Sequence, residues 1–390
     1  MGEKRPGKTK VLHISHTDIR TDSRILKELK ALSEAGIYSV SAVGVDSRKL
    51  EREAEISSEI FIDSVPLFFT KSKWRPSLLR HGLALIEFVI KVFFRSRKYK
   101  PDVIHCHDTL AFLVGSLLSF FVRAKLVYDA HELESRKNAQ SKLASKIVLL
   151  TEKIFWKRVD LLISVSPSIL RWYDSNLGEK PTALVLNAPQ LLNDNYTSNN
   201  EKKNYRYFHE KFGMPDDSIV FIYLGLLVAG RGVQLLLDSF ANIEGRAHVV
   251  FMGYGELDEK IVESSKKNSN IHYHPAVPHT EVVKLTKSAD VGLCLVEKAS
   301  LSDYYCLPNK LFEYAFSGIP VLASKFPDLE EYIEKYKLGE CSPLDVTSIK
   351  KRIEGLVGSP LPTVNSDLAE LSWQAQQSRL VSMYQNMLEK

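Results

Sequence analysis

Cysteine is scarce: the 390 residues hold four, Cys106, Cys294, Cys306 and Cys341, with no C-x-x-C spacing. That argues against a disulfide framework or a cysteine-ligated zinc cluster and fits small buried residues in a reducing cytoplasm. No D-x-D pair occurs, so a metal held by paired carboxylates is not expected. His105, His107 and Asp108 lie on one stretch and His131 and Glu132 on another; their separation reads as hydrogen-bonded structural residues rather than a ligand set. His107, beside Asp108, is the histidine placed to face a ligand. Long uncharged apolar runs are missing as well. The best candidate, Leu78 to Phe94, contains Arg80, His81, Glu87 and Lys91, whereas a spanning helix needs about 20 apolar residues. No basic start, apolar core and small-residue cleavage site occur together, so no signal peptide is expected. Gly253 and Gly255 begin a dinucleotide fingerprint, but position 258 is Asp and the third glycine is absent, which speaks against NAD.

The composition, 44% apolar and 25% charged, is that of a soluble globular protein, and the length suits two domains. The net charge of +5 is unevenly spread: residues 1–190 carry 31 Lys/Arg against 21 Asp/Glu, and the remainder carries 21 against 26. The densest basic stretch, Lys71 to Lys100, sets nine Lys/Arg against Glu87 and interleaves them with Trp74, Phe88, Phe93 and Phe94. Such a pattern fits an anionic surface, lipid headgroups or nucleic acid. Within it, Leu78 to Phe94 reads either as a core helix of the first domain or as a helix lying in a bilayer surface.

Apolar runs at Val11–Ile14, Ser39–Val45, Asp102–Asp108, Lys125–Ser135 and Leu161–Ser166 alternate with helical periodicity, the signature of a parallel sheet covered on both faces. Ligands of such sheets sit beyond the carboxyl ends of the strands. Ser15, His16 and Arg24 fall there, as do His107, Asp108, His131 and Glu132. From Ala188 to Asp217 the pattern dissolves into a polar, Asn/Lys-rich connector, and a second series follows from Ile219 to Val296. The final helix carries Trp373, Leu380, Tyr384 and Met387 near 3.6 spacing and should pack.

Two stretches of the second series suit a phosphate. Gly225 to Gly232 could cradle one with free backbone N–H groups and Arg231, or be an ordinary turn. In LPNKLFEYAFSGIP, Pro308 suits a helix start and Gly318 its stop. Asn309, Glu313 and Ser317 share one flank with Lys310, and Leu311, Phe312, Ala315 and Phe316 form the packing side. That flank suits a phosphate and a ribose diol, or is a solvated ion-pair face.

Taken in order, IRTDSRILKELKALSEAG, DVIHCHD, YDAHELES, YLGLLVAGRG, PNKLFEYAFSGIPVLAS and SWQAQQSRLVSMY resemble the motifs of retaining glycosyltransferases of family 4, the group 1 glycosyltransferases. The resemblance implies the α/β GT-B fold: two Rossmann-like doubly wound domains facing a central cleft, with a C-terminal helix crossing back to the first. It implies an acceptor-binding domain over residues 1–187, a linker at 188–216, a nucleotide-sugar domain over 217–372 and the crossing helix at 373–390. The implied activity is hexosyl transfer from a nucleotide sugar, with UDP favoured, to a glycan or lipid-linked acceptor in bacterial surface polysaccharide synthesis. It proceeds with retention and without metal or other cofactor, and nucleic acid is not a partner. The resemblance makes Glu313 a ribose clamp, and Arg231, Lys310 and the helix N-terminus holders of the diphosphate. It adds Gly225, Val277, Tyr305, Asn309 and Leu311 to the donor side. His107 and Asp108 form the catalytic end, and Ser15, His16, Arg24, His131 and Glu132 the acceptor side or cleft. Two positions depart from the pattern: Tyr305 stands where an acid is usual, and Leu226 where an Arg is. The chain is placed in the cytoplasm, at the inner membrane face, with residues 71–100 against anionic lipid. The alternatives are a non-catalytic nucleotide-sugar-binding subunit and a nucleotide-sugar epimerase.

Overall fold

The computed structural model describes residues 7–46, 60–69, 77–189, 206–364 and 367–389. The chain forms two compact units, Met1–Val185 with Gln376–Lys390, and Leu186–Ala375.

The first unit is built on seven parallel strands: β1 (Thr9–Ser15), β2 (Tyr38–Val45), β3 (Phe61–Val65), β4 (Val103–His107), β5 (Lys125–Ala130), β6 (Leu161–Ser164) and β7 (Thr182–Leu184), in the order β3-β2-β1-β4-β5-β6-β7. β3 and β7, absent from the sequence reading, are short edge strands that give no long apolar run. Capping residues set the helix starts: Asp22 accepts from Arg24 and Ile25 N–H before helix Ser23–Glu34, and Ser166 accepts from Ile169 N–H before Pro167–Leu177. Pairing register aligns Ser15 with His107 and His107 with Asp129, and, two residues earlier, His13 with His105. Because side chains alternate across a sheet, His13, His105, His107 and Asp129 share one face, while Ile14, Cys106 and Tyr128 share the other.

Helix Ser77–Arg97 buries Phe88 and Val92 and leaves Leu79, Ile86, Ile90 and Phe94 half or more exposed. One side of it therefore packs on the first unit while the other is open, and no described helix is long and apolar enough to cross a membrane. Lys71, Lys73, Trp74 and Arg75 lie outside the described residues. In the final helix, Trp373–Glu389, Leu380 and Tyr384 are fully buried, and the Tyr384 hydroxyl lies 2.6 Å from His105 Nδ1.

The second unit holds β8 (Ile219–Leu226), β9 (Ala247–Tyr254), β10 (Ile271–Pro275), β11 (Val291–Cys294), β12 (Val321–Ser324) and β13 (Gly339–Ser342), all parallel, in the order β10-β9-β8-β11-β12-β13. The order turns back at β8 and β11, the crevice where doubly wound sheets bind ligands. Part of the expected connector is ordered: Tyr207–Phe212 is a helix with Phe208 buried, and residues 190–205 lie outside the described set.

Candidate active site

In the first unit the strand ends gather a buried ionic network. Arg24, 3% exposed, donates to Asp129 Oδ1 at 3.0 Å and to Val185 O at 2.9 Å, and pairs with Glu28 at 3.1 Å. The resemblance placed Arg24 on the acceptor side or the cleft; the structure makes it a strut that holds the buried Asp129 carboxylate, while burial and Asp129 push the Glu28 carboxyl up to about 8. His131 Nε2 lies 3.1 Å from Asp129 Oδ2, and its backbone N–H donates to Asp108 Oδ1 at 3.3 Å. Burial pulls the His131 pKa down, but Asp108 and Asp129 outweigh it and raise it to about 10, so this imidazole is a cation at neutral pH. His107 behaves oppositely: burial, then His105, lower it to about 3, and it stays neutral.

His107 was expected to face the transferred sugar. Instead it is fully buried, with Nε2 at 2.9 Å from His13 Nδ1 and Nδ1 at 3.2 Å from His131 Nε2. His131 and Asp108 keep 17% and 14% of their side chains exposed. Asp108 sits at φ +64°, a left-handed conformation that Asp tolerates better than most residues and that turns the chain sharply at the strand end. Burial would raise its carboxyl, yet His131, Lys137 and His16 hold it below the usual range. His16 is half-buried, its Nδ1 enclosed with no hydrogen-bond partner. Ser15 is 1% exposed and spends its hydroxyl on Thr17, at 2.8 Å from Oγ1 and 3.1 Å from the backbone nitrogen, which shapes the turn. Glu132 is exposed and pairs with Lys137 at 3.6 Å.

The stretches that look separate in sequence thus converge. Donor atoms of His13, Glu28, His105 and His107, and of His107, Asp129 and His131, come within 4.8 Å of one another, ligand types that could hold a divalent ion. Asp129 already has Arg24 and His131 as counter-charges. Sequence reading missed His13, Glu28 and Asp129 and gave Tyr384 as a packing residue only; the available signal was the period of two in HIS, HCH and YDAH, which puts polar residues on one face of three adjacent strands.

In the second unit, helix Asn309–Ser317 opens at Pro308 with no side-chain cap and ends at Gly318, φ +67°. Leu311 N–H is spent on Pro308 O at 3.0 Å, and no side chain caps the N–H groups of Asn309 and Lys310 ahead of it, the part of a helix start that suits an anion. Tyr314, fully buried, fixes the helix to the sheet: its hydroxyl accepts from Leu224 N–H at 3.0 Å and donates to Leu293 O at 3.2 Å. The expected polar flank is rearranged. Ser317 is buried and donates to Glu313 O and Val283 O, and Lys310, 8% exposed, stacks its ammonium 3.7 Å over the Tyr223 ring. Asn309 is exposed, Glu313 half-buried and Leu311 core. Burial drives the Cys294 thiol up to about 11, with Lys310 and Arg231 opposing and Glu313 reinforcing, so all three charges are felt at the carboxyl end of β11. Cys306, beside Tyr305, feels Arg231 and Lys310 as well. Tyr305 is half-buried, its ring 5.6 Å from Tyr304.

Gly225, at φ +111°, closes β8 in a conformation other residues avoid. A Cβ on Gly253 would lie 1.8 Å from Gly225 O, and one on Gly255 2.3 Å from Leu227 O. These glycines let two strand ends touch, a sufficient reason for them without a dinucleotide. Leu226 is 47% exposed, and Val277 is half-buried after β10.

Residues 24–188 match Glycosyltransferase Family 4, and residues 205–368 match the Glycosyl transferases group 1. An uncharacterized glycosyltransferase of Methanocaldococcus jannaschii is 26% identical over 70% of the chain and 66% of its own length. The chitobiosyldiphosphodolichol beta-mannosyltransferase of Kluyveromyces lactis is 22% identical over 85% of the chain and 79% of its own length. Among solved structures, sucrose-phosphate synthase from Thermosynechococcus elongatus superposes with a TM-score of 0.76 at 17% identity, covering 98% of this chain and 100% of that one. Anabaena HepE in complex with UDP gives 0.67 at 16% identity, covering 98% of each. At these identities the likeness shows the fold, two Rossmann-like units of the GT-B class.

Proposed function

The chain belongs to the family 4, group 1 glycosyltransferases, and on that premise we propose that it transfers a hexosyl group from a nucleotide sugar to a glycan or lipid-linked acceptor. The observation that carries this is helix Asn309–Ser317, which bears Lys310 and Glu313 and starts without a side-chain cap; with Arg231, both charges act on Cys294 at the carboxyl end of β11. Two cations and the N–H groups of Asn309 and Lys310 stabilise charge growing on a departing diphosphate, and Glu313 accepts from the ribose hydroxyls. At the strand ends of the first unit, cationic His131 and anionic Asp108 orient the sugar and acceptor hydroxyls, with neutral His107 behind them holding the His131 ring. The likeness to HepE, whose structure holds UDP, supports UDP as the nucleotide. The mannosyltransferase relative, named for a diphosphodolichol acceptor, supports a lipid-linked acceptor and hence work at a membrane, with residues 71–100 against anionic lipid. Retention and independence of metal complete the proposal, in bacterial surface polysaccharide synthesis at the cytoplasmic face.

A thermal-shift screen of nucleotides and nucleotide sugars identifies the donor, since a ligand of the folded state raises the melting temperature. With that donor, Glu313→Ala and Arg231→Ala should each lower kcat/KM roughly 10- to 100-fold, the scale of a lost charged hydrogen bond. Unchanged turnover in both would remove the donor-site assignment. A chelator should leave the rate unchanged, and NMR of the product should show the donor's anomeric configuration. Conversion of the nucleotide sugar without acceptor would indicate an epimerase instead, and donor binding without turnover on any acceptor a non-catalytic subunit.

A further inference from the structure

Helix Lys142–Phe155 packs the wrong way round for a helix of a soluble unit. Its apolar residues Leu143, Ile147, Leu150 and Ile154 recur at i, i+4, i+7 and i+11, the stripe that normally faces a core. Here they are 69%, 54%, 56% and 61% exposed, and the fully buried residue is a carboxylate, Glu152. Glu152 fixes this orientation, because Oε1 accepts from the Tyr128 hydroxyl at 2.8 Å and the Tyr173 hydroxyl at 2.6 Å, both buried. Turning the apolar stripe inward would strand those hydroxyls and bring out the acid.

The outward stripe continues into its neighbours. Phe120 and Phe121, 57% and 65% exposed, follow helix Asp108–Ser119. Phe120 lies 6.4 Å from Phe155, and Phe121 lies 5.4 Å from Phe93 of helix Ser77–Arg97, whose own Ile86, Ile90 and Phe94 are exposed. Cations frame this strip: Lys142, Lys146 and Lys153 are exposed on the helix, Arg158 sits 3.8 Å over the Phe120 ring, and Arg97 sits 5.9 Å over that of Phe121. The helix exposes no acid to oppose them.

We propose that helix Lys142–Phe155, with Phe120 and Phe121, is a second bilayer contact that inserts into the headgroup region of an anionic membrane beside helix Ser77–Arg97. Charge complementarity selects this occupant. Protein interfaces are depleted in lysine, whereas an exposed aliphatic stripe edged by lysines is what an anionic lipid surface holds. The contact deepens the membrane part of the proposed function and rests on it only in sharing one bilayer. Two footings about a sheet would fix how the unit is tilted on the lipid, which a single helix does not.

The test is flotation of the full chain with vesicles of phosphatidylglycerol and phosphatidylcholine, against phosphatidylcholine alone. A variant with Leu143→Gln, Ile147→Gln, Leu150→Gln and Ile154→Gln alters only exposed side chains, so its melting temperature should be kept. Its partition onto anionic vesicles should fall about tenfold or more, given the apolar area withdrawn from the bilayer. A matched variant with Ile86→Gln, Ile90→Gln and Phe94→Gln reports on the first helix. If the wild type does not float, the membrane reading fails with this one. Where only the matched variant loses binding, the membrane reading stands and the second contact is overturned. A wild-type dimer that the first variant converts to monomer in sedimentation velocity, with flotation kept, would make the face a contact between copies and overturn it too. Should the multiple variant not fold, Ile147→Trp is read with acyl-chain-brominated lipid: quenching beyond that of the wild-type tryptophans supports insertion, and its absence refutes it.

Discussion

At the scale of single residues, charge and burial divide the labour. His131 and His107 are 3.2 Å apart at their nearest ring nitrogens, yet one is raised to about 10 and the other lowered to about 3. The cause is the carboxylates: Asp129 and Asp108 flank His131, whereas burial and His105 dominate at His107. His131, raised above its ordinary 6.5, contributes stability that is fully present below pH 6.5 and is lost as pH rises through about 10. His131→Gln should therefore lower the melting temperature most at pH 6 and hardly at all above pH 10. Melting curves across that range check it; a constant difference would mean the imidazole is neutral in the folded protein. None of this could be read from DVIHCHD or YDAHELES alone, since neither stretch shows that three histidines lie within 3.6 Å of Asp129 or which of them also meets Asp108.

At the scale of elements, sequence patterns located most strands and helices because periodicity follows from backbone geometry. Short edge strands escaped, as β3 and β7 did, because they bury too little to need an apolar run. In LPNKLFEYAFSGIP the helix and its ends were legible from Pro308 and Gly318, but its faces were not. Ser317 turned inward and Lys310 settled on Tyr223, because the helix is oriented by Tyr314, which the sequence reading assigned to neither the polar flank nor the packing side. Tyr314→Phe should cost about 1–3 kcal/mol, since Leu224 N–H and Leu293 O each lose a buried partner. Urea denaturation measures this, and an unchanged midpoint would show that packing alone sets the helix. The same variant should weaken donor binding, because the helix carries Lys310 and Glu313.

At the scale of the whole molecule, the chain is two doubly wound units, with the last helix beyond Ala375 grouped with the first. Its anchor is the Tyr384 hydroxyl at 2.6 Å from His105 Nδ1, deep in the ionic face of the first sheet. Tyr384→Phe should destabilise that unit by about 1–3 kcal/mol and speed hydrogen exchange through Trp373–Glu389 while leaving the second sheet's exchange unchanged. Unaltered exchange in the helix would show that Leu380 and its apolar neighbours suffice. By itself the sequence determined the fold class, because alternating strands and helices of this length leave a parallel sheet covered on both sides as the way to bury their apolar faces. It also determined the family, through ordered motifs over nearly the whole chain. Only the tertiary structure decided which polar residues are struts and which meet solvent. Arg24 and His107 went inside, Asp108 and His131 kept a partly exposed edge, and the apolar stripe of Lys142–Phe155 turned outward. Those outcomes depend on partners up to a hundred residues or more away, Asp129 for Arg24 and the Tyr128 and Tyr173 hydroxyls for Glu152, and a local pattern carries no information about them.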